Sequence, residues 1–374
     1  MKITDIVTLP VNLGSGNHLF VRILTDAGIH GIGEAYRVGP NDATERAIHD
    51  FGRWIVGEDP RAIEHLWRLM YNGTRFPGGS VINAAISAIE IACWDVKAKA
   101  LGIGVCDLLG GPCRNRVRVY CSVGDADGAK RATQEQGFTA IKMIPTPHDA
   151  ESIPWNRVLR AATEKMDAVR RAVGDDIDIA LDPHARIFEP VRALQLAEAV
   201  GPYNPFFFEE PLRPENIEAL ADLHRKISIP IATGEMLYTK YQFRDLLAAG
   251  AADIVQPDLL ICGGLLEARK IAAMAEAHYV TVAPHNPLGP VSTAVSAHFA
   301  AATPNFSILE YVPDAAGPMR DLVVEPLAYA DGYVTLPEAP GLGIELNDKA
   351  FHGHPPAPWR RPMMIAPDGN VMFQ

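Results

Sequence analysis

The chain has 374 residues, 48% of them hydrophobic and 21% charged, with a formal net charge of −11, the make-up of an ordinary soluble globular protein. The acidic balance and the lack of a Lys/Arg run argue against a nucleic-acid partner, and no apolar run reaches the roughly 18 residues of a membrane span. The length exceeds the roughly 250 residues typical of one barrel domain, which leaves about a hundred for a second.

Met1 opens directly on MKITDIVTLPV, an alternating strand with neither a charged leader nor a cleavage site before it, so the cytoplasm is the expected compartment. Five cysteines make an odd count without a CxxC pair, which argues against disulfide and zinc frameworks. The segments ITDIVTLPV, HLFVRILTDAG and GIHGIGEAY suggest an antiparallel meander with turns at Gly14 to Gly16 and Asp26 to Gly28. Helices are predicted over Ala43–Val56 and Val81–Ala100, the second with Ile82, Ile86, Ile89, Cys93 and Val96 on one face. Residues 1–115 therefore read as an α+β domain. Its Gly- and Pro-rich stretches Val11–Asn17 and Arg75–Ser80 could close over a neighbouring site.

From residue 116 the pattern changes. Strands are predicted at Val117–Gly124 and Phe138–Ile144, followed by a proline-rich loop, Pro145–Arg157, and a strand in Ile177–Ile187 that ends in Asp182 and His184. On a strand a spacing of two puts both of those side chains on one face. Further apolar runs end at Glu209, Glu235, Asp258, His285 and Glu310, in steps of 27, 26, 23, 27 and 25 residues from Asp182. One strand, one helix and two short loops fill such a step. Polar groups at the C-terminal ends of several successive parallel strands are what an α/β fold of the (β/α)8, TIM-like barrel type provides. The expected division is thus a capping domain over 1–115 with 335–374, including the PPAPWRRPMM tail, packed back on it, and a barrel over 116–334.

In such a barrel Asp182, Glu209 and Glu235 would surround one point, and three oxygen ligands suit a hard cation such as Mg²⁺, one per chain. Lys142, embedded in the apolar AIKMI, would add a fixed positive charge beside it. Asp258 and His285 end adjacent strands, so the carboxylate could orient and stabilise an imidazole acting as a base. Such a base needs help against a proton alpha to a carboxylate, which the cation, Lys142 and Glu310 could supply.

DPHAR, FFFEEP, TGE, QPDLLICGG and APHNPLGP, in this order and spacing, resemble the mandelate racemase group of the enolase superfamily, and within it the D-galactonate dehydratases. The likeness extends to MKIT, the WDVKAKALG helix and GLGIE. It implies Asp182, Glu209 and Glu235 as Mg²⁺ ligands, His285 with Asp258 as the base that removes the C2 proton, and His184 as the acid that protonates the departing C3 hydroxyl. Arg186 and Gln256 are candidate substrate contacts. The implied activity is that of a hydro-lyase acting on an aldonate, most simply D-galactonate, in a protein that forms a homo-oligomer. Three departures bear on substrate: Ile144 stands where racemase relatives carry a second lysine, Met236 stands where galactonate dehydratases tend to have arginine, and the loop Val11–Asn17 looks longer. Alternatives are a D-mannonate or D-gluconate dehydratase and a racemase or epimerase of a 2-hydroxy acid, which would need a second base.

Overall fold

The computed structural model describes residues 1–374 except 15, 314–316, 359, 361–362, 367 and 373–374, so part of the proline-rich tail motif lies outside the described residues. The N-terminal unit is an antiparallel sheet of β1 (Ile3–Asn12), β2 (Asn17–Thr25) and β3 (His30–Ala35), in that order. The stretch Val11–Asn17 is less of a loop than its composition suggests. Asn12 and Asn17 pair across the hairpin, Asn12 donating its amide to Asn17 Oδ1 at 2.8 Å, and only residues 13–16 connect the strands.

Four helices follow: α1 (Asn41–Ile55), α2 (Ile63–Gly73), α3 (Ser80–Leu101) and α4 (Val105–Leu108). The second has no counterpart in the sequence reading. A one-sided apolar face was expected on α3, yet the helix is buried on every side over Asn83–Val96. It lies between the sheet, α1, α2 and the barrel. Its few polar residues, among them Ser87, Glu90 and Asp95, are consequently buried too.

The second unit alternates strand and helix: β4 (Val117–Ser122), α5 (Ala126–Lys130) running into a π-type turn, β5 (Ala140–Met143), α6 (Trp155–Val173), β6 (Asp178–Leu181), α7 (Pro190–Val200), β7 (Phe208–Glu209), α8 (Ile217–His224), β8 (Ile231–Thr233), α9 (Thr239–Ala248), β9 (Ile254–Val255), α10 (Leu265–Ala277), β10 (Thr281–Val282), α11 (Pro290–Ala302) and β11 (Leu309–Glu310). Parallel pairing runs from β4 through β10, and β11 returns to pair with β4. The bridge from Val282 to Phe306 joins β10 to the β11 segment, so the sheet closes on itself as a barrel.

Two local expectations change. Strand β6 ends at Leu181, so His184 is not placed by the strand's pleat. It sits in a turn with φ +59°, its backbone N–H donating to Asp182 Oδ1 at 2.7 Å. The stretch Pro145–Arg157 is loop only as far as Pro154; Trp155–Arg157 form the first turn of α6, and the N–H groups of Arg157 and Val158 donate to the Pro154 carbonyl.

Among the described residues, the eighth strand is followed by the short α12 (Pro318–Asp321) and an unforeseen hairpin, β12 (Ala328–Ala330) and β13 (Tyr333–Thr335), which joins the start of β4 antiparallel. The chain then returns to the first unit. Leu342 N–H donates to Asp95, Glu345 pairs with Lys99 and His30, and in α13 (Asp348–Gly353) Phe351 meets Phe20 edge-on. No helix among the described residues is long and apolar enough to cross a membrane, and all five cysteines are free thiols.

Candidate active site

One residue from each barrel strand or its edge packs into a closed interior cluster: Tyr120, Ala140, Ala180, Phe207, Ala232, Ile254, Ala283 and Ile308. Two aromatic rings, Tyr120 and Phe207, fill this plug edge to face at 6.0 Å. Side chains alternate along a strand, so the residue two positions further on lies in the next layer toward the mouth. Applied to the plug, that step gives Lys142, Asp182, Glu209, Gln256, His285 and Glu310. The site is therefore the layer above a hydrophobic floor, as barrel geometry requires. On β8 the same step reaches Gly234, and Glu235 follows after a glycine with φ +130°.

The layer gathers around Lys142. Its ammonium donates to Glu209 Oε1 at 2.6 Å and lies 3.1 Å from Glu310 Oε1 and 3.4 Å from Asp182 Oδ2, above the Tyr120 ring. Burial would lower the lysine's pKa, but these carboxylates hold it well above the usual lysine value. Glu209 feels the converse pressure. It is fully buried, and burial together with neighbouring acids pushes its carboxyl up against the pull of Lys142.

The other half of the layer holds the imidazole. His285 Nδ1 is 2.8 Å from Asp258 Oδ2, while Asp258 Oδ1 accepts from the Leu260 N–H. That arrangement leaves Nε2 as the working nitrogen, 3.4 Å from Glu235 Oε2 and 3.8 Å from Glu310 Oε2. Burial alone would lower the His285 pKa. The carboxylates of Glu235, Asp258 and Glu310 outweigh it and push the value up to about 10.

Among the described residues, no three His, Cys, Asp or Glu side chains stand close enough together to hold a metal ion as they are placed. The donor set nonetheless fits a hard cation. Asp182, Glu209 and Glu235 offer carboxylate oxygens, and Glu235 Oε2 is buried without a hydrogen-bond partner. Of the candidate substrate contacts, Gln256 is committed to Glu209, donating Nε2 to Oε2 at 2.9 Å, whereas Arg186 and His184 keep a ring or guanidinium nitrogen buried and unpaired.

Sequence reasoning missed Glu210. It is buried with φ +39°, its carbonyl accepts from Ala185 in the His184 turn, and its carboxylate accepts from Thr233 and Gly234, beside Glu235. Burial pushes its carboxyl up to about 8. The doubled EE of FFFEEP is the one local signal for it. Also missed was Tyr36, which the capping domain lays 6.0 Å from the His285 ring. The stretch Arg75–Ser80 leads directly into α3, which begins at Ser80. Ile144, two positions beyond Lys142, is partly exposed at 37% and offers no ionisable group on that side.

Residues 9–110 match the family described as mandelate racemase / muconate lactonizing enzyme, N-terminal domain, and residues 125–350 the family described as enolase C-terminal domain-like. Curated relatives named D-galactonate dehydratase include one from Ralstonia nicotianae, 35% identical, and one from Xanthomonas campestris, 36% identical, each match covering 99% of both chains. Among solved structures, an enolase from Agrobacterium radiobacter, described as a candidate galactarate dehydratase and holding sodium and L-malate, is 40% identical over the full length of both chains, with a TM-score of 0.95.

Proposed function

The chain belongs to the mandelate racemase/muconate lactonizing enzyme family of the enolase superfamily, and from that premise we propose that it dehydrates an aldonate, D-galactonate, to the 2-keto-3-deoxy acid. It is an enzyme of the hydro-lyase class. The observation that supports the reading is the 2.8 Å contact between His285 and Asp258 in the same layer as Lys142, Asp182 and Glu209.

In this reading His285 Nε2 takes the C2 proton, and Asp258 holds the ring's orientation and tautomer from the other side. His184, whose Nδ1 has no protein partner, gives a proton to the departing C3 hydroxyl. Carbon loses one proton and one hydroxide, water leaves, and the resulting enol becomes the 2-keto acid. Lys142 and Glu310 lie beside the substrate carboxylate. Asp182, Glu209 and Glu235 would hold one Mg²⁺, which supplies positive charge against the negative charge that builds on the substrate when C2 loses its proton. Glu235, Asp258 and Glu310 together favour the charged imidazole, so positive charge held by the neighbouring carboxylates would bring His285 closer to a working base. The roles assign the chemistry to 116–334 and the closing surface to 1–115.

Because Ile144 leaves the second-strand side without a base, the expected substrates have the 2R configuration. D-Galactonate should be turned over best, D-gluconate next and D-mannonate little, with no inversion at C2 in recovered substrate. Comparing the three acids under saturating Mg²⁺ tests this, and a preference for D-mannonate would sink the assignment of His285 as the proton acceptor. The 40% identity to the Agrobacterium protein favours a second reading, with galactarate as substrate. Adding galactarate to the same comparison decides between the two readings.

A further inference from the structure

Two carboxylates of the capping domain are buried against helix N-termini of the barrel. Glu90, from α3, accepts from the backbone N–H groups of Leu265 at 2.8 Å and Leu266 at 2.9 Å, the first residues of α10. Glu34, from β3, accepts from Gly289 at 2.9 Å and Ser292 at 3.0 Å, at the start of α11. Both satisfy N–H groups that the helix itself leaves open. Both approaches also depend on glycine: a Cβ at Gly264 would lie 2.2 Å from Glu90 Oε2, and one at Gly289 2.5 Å from Glu34 Oε1.

The two gripped loops are the ones that leave Asp258 and His285. Between Asp258 and α10 the grip is completed by Ser87 Oγ, which accepts from Gly263 N–H at 3.1 Å, and by Trp67 Nε1, which donates to the Gly263 carbonyl at 2.9 Å. Between His285 and α11, Asn286 N–H donates to Glu310 Oε2 and its side chain to the Glu310 carbonyl. The cap thus holds the two βα units that carry the imidazole and its carboxylate.

We propose that Glu34 and Glu90 are positioning residues for the His285–Asp258 pair, setting the placement of the imidazole through the two loops rather than merely joining two domains. The proposal rests on the reading of His285 as the base. A base displaced by a fraction of an ångström still permits substrate to bind but no longer meets the C2 proton, so the loss should fall on kcat.

The test compares Glu90→Gln, Glu34→Gln and Gly289→Ala with Glu64→Gln. A glutamine at 90 or 34 keeps one acceptor and turns an NH₂ toward N–H donors. Gly289 has φ −91°, which alanine adopts freely, and the nearest atoms its added methyl would meet are those of the Glu34 carboxylate. Glu64 pairs with Lys270 across the same domain boundary at 2.8 Å without touching either loop. The readouts are kcat and KM on the confirmed substrate, and the deshielded proton resonance of the His285 Nδ1–H, assigned by its loss in Asp258→Asn.

The first three variants should shift or broaden that resonance and lower kcat roughly tenfold to a hundredfold with KM nearly unchanged; Glu64→Gln should do neither. An unchanged resonance and kcat in folded Glu90→Gln and Gly289→Ala overturn the proposal, as does an equal loss in Glu64→Gln. Should the glutamine variants fail to fold, Gly289→Ala decides alone. If no aldonate is turned over by the unaltered protein, the functional reading fails, yet the resonance still reports whether the clamps set the pair.

Discussion

The two sides of the barrel mouth solve opposite problems. On the side of β5 to β8, Lys142, Asp182, Glu209 and Glu235 bring three carboxylates and one ammonium together, and Glu235 Oε2 accepts no hydrogen bond, its ion-pair partner being His285 at 3.4 Å. On the side of β9 to β11, Asp258, His285, Asn286 and Glu310 are tied to one another and to backbone N–H groups. The first side carries more negative charge than its own partners neutralise, which suits it to bind a cation. The second is held mainly by hydrogen bonds among its own members and backbone N–H groups, which suits it to hold one nitrogen in place. An excess of buried charge invites a ligand, whereas satisfied hydrogen bonds resist displacement.

Removing divalent cations should expose this difference most strongly. Exhaustive chelation is expected to abolish turnover, with Mg²⁺ restoring it. The restoration has a readout of its own: titrating the His285 imidazole by NMR should give a pKa near the value of about 10 in the chelated protein and a clearly lower one once Mg²⁺ engages Glu235. Full activity after chelation, or an imidazole pKa indifferent to Mg²⁺, would break the proposed division of labour.

Single substitutions then separate the acid from the base. His285→Asn should lower both dehydration and exchange of the C2 proton with deuterium by about 10²–10⁴-fold, the usual contribution of one positioned proton-transfer group. His184→Asn should lower dehydration to a similar extent while leaving C2 exchange measurable. Normal dehydration in either variant would reverse the roles, and equal loss of exchange in both would mean that the two proton transfers are not separable.

A smaller effect concerns the scaffold behind the base side. His298 on α11 accepts from the Cys106 N–H through Nδ1 and bonds the Leu342 carbonyl through Nε2, so its ring must be neutral. Burial lowers its pKa from 6.5 to about 4. With the folded value depressed, this stability is complete above pH 6.5 and is lost as pH falls toward 4, by up to about 3 kcal/mol over that window. Denaturant unfolding at a series of pH values should show that slope. It should flatten in His298→Gln, and a slope unaffected by the substitution would place the acid sensitivity elsewhere.

Much of this arrangement follows from the order of residues alone. An apolar residue, one intervening position and then a polar one recurs as Ala140 to Lys142, Ala180 to Asp182, Phe207 to Glu209, Ala283 to His285 and Ile308 to Glu310. That two-residue rhythm is a local property of extended chain, and its recurrence at strand-plus-helix intervals specifies a closed parallel barrel with one polar layer. Tertiary structure decided what no local period carries. His184 reaches the mouth by a left-handed turn held by Glu210, and Glu235 departs from the pleat after Gly234. Lys142 becomes the centre of the carboxylates only when strands distant in sequence close around it. Glu90 and Glu34, a carboxylate in an apolar helix and another in an apolar strand, find their partners 175 and 255 residues away. The physical reason is the same in each case: backbone periodicity is set by neighbours a few residues apart, whereas the pairing of a buried charge is fixed only by whichever donors the finished fold brings to it.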